Sequence, residues 1–399
     1  MTSRRSMWHL ALIMLILARA ASLAAQPPTP IGALLPDLAV VETIEIDLQG
    51  AAGLIVNILL DPAGEQILQV TSTDFCVYDR SGAPHSCLPR PDDLRFVVSP
   101  RWSPDGQYIA FTDHEPLRNF DDSDLWIWDT HSGHFTHLTA DGDLPSALAL
   151  LSGADANAGP FSTVDMLPRF SSDGQLYFLR LAESGGNATA AIYRIPVTGG
   201  TAELVTPITA NIRETGTPIA WDIAPDGQTA VIVQRLRGNQ SLHRVDLLSS
   251  AQTLLHEVDR DTEIGILALD FSPSGEALLW HSEALSPISN AGDRPYAYIT
   301  TLEGETFPAT STAQTLLAGW SADGSALIYS VFDAENPART GLYLGLPGAD
   351  GSLLISPENA DQWFVGTNFP HGLDWGANHT VLVSERGGRS VLVLRLGVE

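Results

Sequence analysis

Trp102-Ser103-Pro104-Asp105-Gly106, running directly into Tyr108-Ile109-Ala110-Phe111, is the stretch that decides the fold. Pro104 fixes its own φ and suits the second position of a type I turn. Gly106 suits the fourth, where a left-handed or bulged backbone is easiest without a Cβ. An aromatic before such a turn and a β-rich run after it predict a strand, a tight hairpin and a second strand. The pattern recurs. Its relatives are Leu60-Asp61-Pro62-Ala63-Gly64, Phe170-Ser171-Ser172-Asp173-Gly174 and Ile223-Ala224-Pro225-Asp226-Gly227. Three more follow: Phe271-Ser272-Pro273-Ser274-Gly275, Trp320-Ser321-Ala322-Asp323-Gly324 and the degenerate Trp375-Gly376-Ala377-Asn378-His379. In every copy a large apolar residue stands four places before the glycine or its substitute.

After each turn comes a strand with little alternation, such as Leu176-Tyr177-Phe178-Leu179, as expected for a sheet covered on both faces. A third strand follows, for example Leu125 to Trp128 or Leu242 to Val245, and usually a short turn and a fourth. Four strands repeating every 42 to 68 residues predict β-propeller blades. The fold class expected is all-β, with seven four-stranded blades, or six if region 41–98 packs differently. The last copy lacks an outer strand, since the chain ends at Glu399. Thr43-Ile44-Glu45-Ile46-Asp47-Leu48 alternates strictly and has no repeat of its own. It is expected to complete the last blade and close the ring, removing exposed sheet edges.

The Trp/Phe-Ser-Pro/Ser-Asp-Gly element followed by the Asp124-Leu125-Trp126-Ile127-Trp128-Asp129 type of strand resembles the WD40-like (PD40) repeat of the TolB-like β-propellers, the clearest copy being Pro100 to Thr139. The resemblance covers residue 40 onward and implies the fold. Propellers host unrelated activities, so it implies no one function. The N-terminal α/β domain of TolB itself has no counterpart in residues 26–40, so the chain is not read as TolB. Peptidases with related propellers carry a hydrolase domain with a Gly-x-Ser-x-Gly turn; that pentapeptide is absent here.

The formal charge is −26, from 47 acidic and 21 basic residues, which argues against nucleic acid as a partner. Every basic residue is Arg. Without lysine, Schiff-base catalysis, a pyridoxal-phosphate site and a P-loop are excluded. Arg4 and Arg5 precede an apolar run from Leu10 to Ala18, and small-x-small cleavage sites follow at 18–20 and 22–24. Residues 1–25 therefore read as a signal peptide, 26–39 as a linker and 40–399 as the propeller, with no transmembrane segment in the mature chain. Export to the periplasm or cell exterior is expected, as a monomer. It favours a disulfide between Cys76 and Cys87, which flank the Ser81-Gly82 turn; two buried thiols are the other reading.

In a propeller, first-to-second and third-to-fourth strand turns share one face, and the remaining connections share the other. Here the first class is tight, whereas the second holds the long insertions 113–124, 140–166, 282–295, 332–339 and 357–370. Long loops on a rigid scaffold are the usual place for binding residues. The candidate binding residues on this loop-rich face are Asp113, His114, Phe120, Asp121, Asp122, Asp124, Trp363, Phe364, Phe369 and His371. No cofactor is expected. The acidic 113–124 loop reads as solvated, with Ca²⁺ as the alternative, as does the link carrying Asp259, Asp261 and Glu263. His131, His134 and His137 are placed on the tight-turn face, too dispersed for one metal ion. The aromatic before each turn is expected to pack between blades. These features suggest a non-enzymatic scaffold for a protein, peptide or envelope polymer. The alternative is a carbohydrate-acting enzyme with an acidic or metal-assisted site near the central channel. An acidic residue beside the axis, clustered with His or Arg, would favour the enzyme.

Overall fold

The computed structural model describes residues 31–48, 55–94, 96–114, 122–141, 144–155, 160–258, 265–282, 296–310, 315–331, 336–355, 373–384 and 390–398. Among them, seven four-stranded sheets follow one another along the chain. Blade 1 comprises Ile55–Leu60, Gln66–Thr71, Asp74–Asp79 and Pro84–Pro89, paired antiparallel in order. Blades 2 to 6 repeat this meander, beginning at Val98–Trp102, Val164–Phe170, Thr217–Ile223, Ile266–Phe271 and Thr315–Trp320. These first strands are the innermost.

Blade 7 differs. Leu373–Trp375, Thr380–Ser384 and Ser390–Val398 supply three strands, and Leu38–Asp47 supplies the fourth. The closing strand runs antiparallel to the C-terminal one, from Leu38 opposite Val398 to Asp47 opposite Ser390, with one irregularity between Val40 and Glu42. Ile46 and Leu48 are buried, whereas Glu45 and Asp47 are exposed, as the alternation requires. Ahead of it, within the segment read as a linker, lies a short helix, Ile31–Leu34. The Gly32 N–H donates to Ser325 Oγ of blade 6 at 2.7 Å.

The ring is also closed by packing. Seven apolar clusters each bridge two neighbouring blades, and the seventh joins Leu382, Val391 and Val393 of blade 7 to Ile58, Leu60 and Ile67 of blade 1. The repeated aromatics lie in these clusters: Trp102 between blades 1 and 2, Phe271 between 4 and 5, Trp375 between 6 and 7. Phe170 and Trp320 pack against two others.

In the opening turn the Gly106 N–H donates to Ser103 O at 2.9 Å, and Ser103 Oγ accepts from Tyr108 N at 2.9 Å. Gly106 has φ +69°, and each repeat glycine lies in the same region. In blade 7, where the glycine is replaced, His379 takes φ +63°. Cys76 and Cys87 stand directly opposite each other on the third and fourth strands of blade 1 and form the disulfide. No described helix is long and apolar enough to cross a membrane.

Candidate functional site

The long connections of blade 2 bring carboxylates together at its boundary with blade 3. Asp113 follows the second strand, Tyr108–Thr112, and Asp124 precedes the third, Leu125–Asp129; the Asp124 N–H donates to Asp113 Oδ1 at 2.9 Å. The other Asp113 oxygen accepts from Trp126 Nε1 at 3.3 Å, and His114 Nδ1 lies 3.1 Å from Oδ1. Asp124 accepts from Thr139 Oγ1 at 3.3 Å and faces His137 Nε2 at 3.1 Å. His137 also stacks on Trp126, with ring centroids 4.3 Å apart. A parallel bridge between Ser123 and Val164 joins this loop to the inner strand of blade 3. It places Asp165 behind Asp124, and the Asp165 N–H donates to Ser123 O at 2.7 Å. Asp165 is wholly buried and held in a two-pronged pair by Arg180, at 2.6 and 2.7 Å. The Arg180 guanidinium lies 5.3 and 4.9 Å from the Phe178 and Tyr193 rings. Asp141, on the blade 2 to blade 3 link, accepts from Thr163 N and Oγ1 at 2.7 and 2.9 Å.

Asp122 lies in the same notch. Burial pushes its carboxyl up to about 7, a hydrogen bond from Ser162 opposes this, and Asp124 and Asp141 add to the rise. Folded Asp122 thus holds its proton more tightly than in the unfolded chain, so its contribution to stability falls as pH rises from about 4 through 7. Asp122→Asn is therefore expected to raise the melting temperature more at pH 8 than at pH 5. Thermal melts at both values check this; an equal effect at both contradicts it. Burial lowers the pKa of His137, but Asp124, with Asp113 and Asp93, outweighs it and holds the imidazole above its usual value.

Of the sequence-derived candidates, Asp113, His114, Asp122 and Asp124 meet on the loop-rich face. Phe120, Asp121, Trp363, Phe364, Phe369 and His371 lie outside the described residues, as do Asp259, Asp261 and Glu263. The placement of His137 needs correction. His134–His137 is a complete outer strand, and its three steps of about 3.3 Å, roughly 10 Å, carry His137 away from the tight turn to Asp124. His131 and His134 remain exposed at the turn. Asp141, Asp165 and Arg180 were not legible as site residues, because only packing between blades brings them to Asp124. Two sets could hold a cation: Asp113, Asp124 and His137, or Asp122, Asp124 and Asp141.

A second charged cluster lies in the channel. The position just before the repeat's large apolar residue holds Leu59, Arg101, Arg169, Asp222, Asp270, Gly319 and Asp374 in blades 1 to 7. Aligning the seven turns is the signal that could have found it. Arg101 reaches Asp270, three blades away around the ring, at 3.2 Å, and Arg169 pairs with Asp222 of the next blade at 3.1 Å. Asp222 accepts the Phe271 N–H of blade 5 at 2.7 Å, and Asp374 accepts the Leu60 N–H of blade 1 at 3.0 Å. These carboxylates clasp one blade to the next. Burial pushes Asp374 up to about 6, and burial, with Arg101 nearby, brings Arg169 down to about 10.

No protein family matches the sequence, and no curated protein matches it. Among solved structures, TolB from Acinetobacter baumannii is similar at a TM-score of 0.41 and 15% identity, over 86% of this chain and 63% of that one. This chain thus spans less than two thirds of that structure's length. The propeller assignment stands on the sheet order and the seven interblade clusters.

Proposed function

We propose that this chain is an exported, non-enzymatic β-propeller that serves as an interaction scaffold for a protein, peptide or envelope polymer through its loop-rich face. The observation that carries the reading is the notch of Asp113, Asp122, Asp124 and Asp141, which lies where the connections are long. Donors from the protein occupy oxygens of Asp113, Asp124 and Asp122, whereas the exposed Asp141 accepts only on Oδ2 among the described residues and leaves its other oxygen for a basic partner group. The targeting segment and the disulfide support export.

Capture from the envelope fraction of the source cell tests the reading. The Asp122→Asn/Asp141→Asn variant is expected to lose the partner, and Asp105→Asn/Asp226→Asn, on the tight turns, to retain it. Equal capture by both variants would remove the assignment to this face. The acidic loop is not solvated as the sequence suggested, since Asp113 and Asp124 are buried and their oxygens already accept from the protein, so millimolar Ca²⁺ is expected to leave the melting temperature unmoved. A rise that Asp122→Asn abolishes would make the notch a calcium site instead.

One observation favours the second reading, a carbohydrate-acting enzyme. Asp374, held up to about 6, lies in the channel near Arg101 and Asp270, the kind of group suited to general acid catalysis. Turnover of a polysaccharide panel by the intact protein, abolished by Asp374→Asn, would establish it and displace the scaffold reading.

A further inference from the structure

The ring of residues that precedes the repeat aromatics has a gap. At blade 6 it carries Gly319, where a Cβ would point at Leu373 O of blade 7 from 3.1 Å. Beside this gap, at the tight-turn end of the channel, lies a cavity of about 250 Å³ whose lining includes Asp270, Phe271, Gly319, Trp320, Asp374 and Trp375. Its only guanidinium among the lining residues is that of Arg101, which is paired with Asp270. Asp61 also lines the cavity, but its Oδ1 accepts from Glu65 N and Gln66 N within its own turn, at 2.7 and 2.8 Å. Asp374 gives one oxygen to the Leu60 N–H. Its other oxygen meets no donor among the described residues.

Three carboxylates against one guanidinium, with one phenyl and two indole side chains in the lining, form a lining complementary to a cation. A sugar would match the hydrogen-bonding groups but not the excess negative charge, and an anion would meet repulsion. The size suits a molecule of a few carbon atoms. We propose that this cavity binds a primary alkylammonium group, with Asp374 as its counter-ion and the aromatic side chains of blades 5 to 7 as its walls. The group could belong to a free amine or to a lysine side chain presented by a partner. The site lies at the opposite face of the propeller from the acidic notch, so its failure and that of the scaffold reading are separately visible.

Protonation of Asp374 competes with such a ligand. The charged groups facing Asp374 are Asp61 of blade 1, Arg101 of blade 2 and Asp270 of blade 5. Burial sets its carboxyl near 6, so ammonium binding weakens from pH 7.5 to pH 5.

The test is isothermal titration calorimetry on the mature protein at pH 7.5. The probes are n-butylamine, 1,4-diaminobutane and the blocked tripeptide acetyl-Gly-Lys-Gly-amide, with 1-butanol, butyrate and glucose as controls. At least one amine is expected to bind, all three controls to fail, and affinity to fall at least tenfold both at pH 5 and in Asp374→Asn. Asparagine retains an acceptor for the Leu60 N–H, so the clasp between blades 7 and 1 persists. Gly319→Val, which fills the gap, is expected to lose binding as well, and the pH comparison needs no variant. Binding of the free amines but not the tripeptide assigns a free ligand, and binding of the tripeptide assigns a partner lysine. No binding by any amine, unchanged affinity at pH 5 and in folded Asp374→Asn, or equal binding of butanol or glucose would overturn the proposal.

Discussion

Removing residues 31–49 is expected to lower the melting temperature by on the order of 10 °C or more, or to leave the propeller insoluble. Ile46 and Leu48 are buried in the cluster joining blades 7 and 1, and Leu38, Val40 and Ile44 are partly buried. Losing the burial made by two full and three partial apolar side chains costs about 6 kcal/mol, a large part of the roughly 5–15 kcal/mol that stabilises a folded domain. The loss also bares Ser390–Val398, an edge rich in Val and Leu. Adding a synthetic peptide of residues 36–49 should restore part of the lost stability, since the pairing is a simple antiparallel ladder. Thermal melts of chains starting at residues 31 and 50 provide the comparison. An unchanged melting temperature would show that the ring does not depend on this strand.

The second large effect is expected at Arg180. Arg180→Met keeps much of the side-chain volume but strands the Asp165 carboxylate, which is wholly buried. Breaking a buried pair by removing one partner costs about 3–5 kcal/mol. Burial already pushes Asp165 up to about 6 although Arg180 opposes the rise. Without the arginine the carboxyl must take a proton to remain buried, so the penalty is expected to shrink from pH 8 to pH 5. Asp165→Asn combined with Arg180→Met should recover most of the loss. Chemical denaturation of both variants at the two pH values is the measurement. A loss below 1 kcal/mol would mean that water reaches Asp165.

The scaffold was legible because each blade repeats a local rule: a large apolar residue that packs between sheets, then a turn that needs a left-handed residue. The rule survives in blade 7, where His379 adopts that conformation without being glycine. The closing strand was legible from its alternation, since an outermost strand is wet on one side. The acidic loop was visible as composition, but its partners were not. His137, Asp141 and Asp165 approach Asp124 through the end of an outer strand, an interblade link and a parallel bridge, none of which has a sequence period. The channel cluster stayed hidden for a different reason. Each of its members stands just before the repeat's large apolar residue, so aligning the turns lines them up, but which Arg meets which Asp is set only by the closed ring.

Site-specific photo-crosslinking in the source cell tests the central functional claim most directly. A photoreactive residue at exposed position 141, beside the notch, is expected to trap a defined partner, whereas one at exposed position 105, on the tight turn of blade 2, is expected not to trap that same partner. A partner trapped from position 105 and not from 141 would place recognition on the opposite face and contradict the claim.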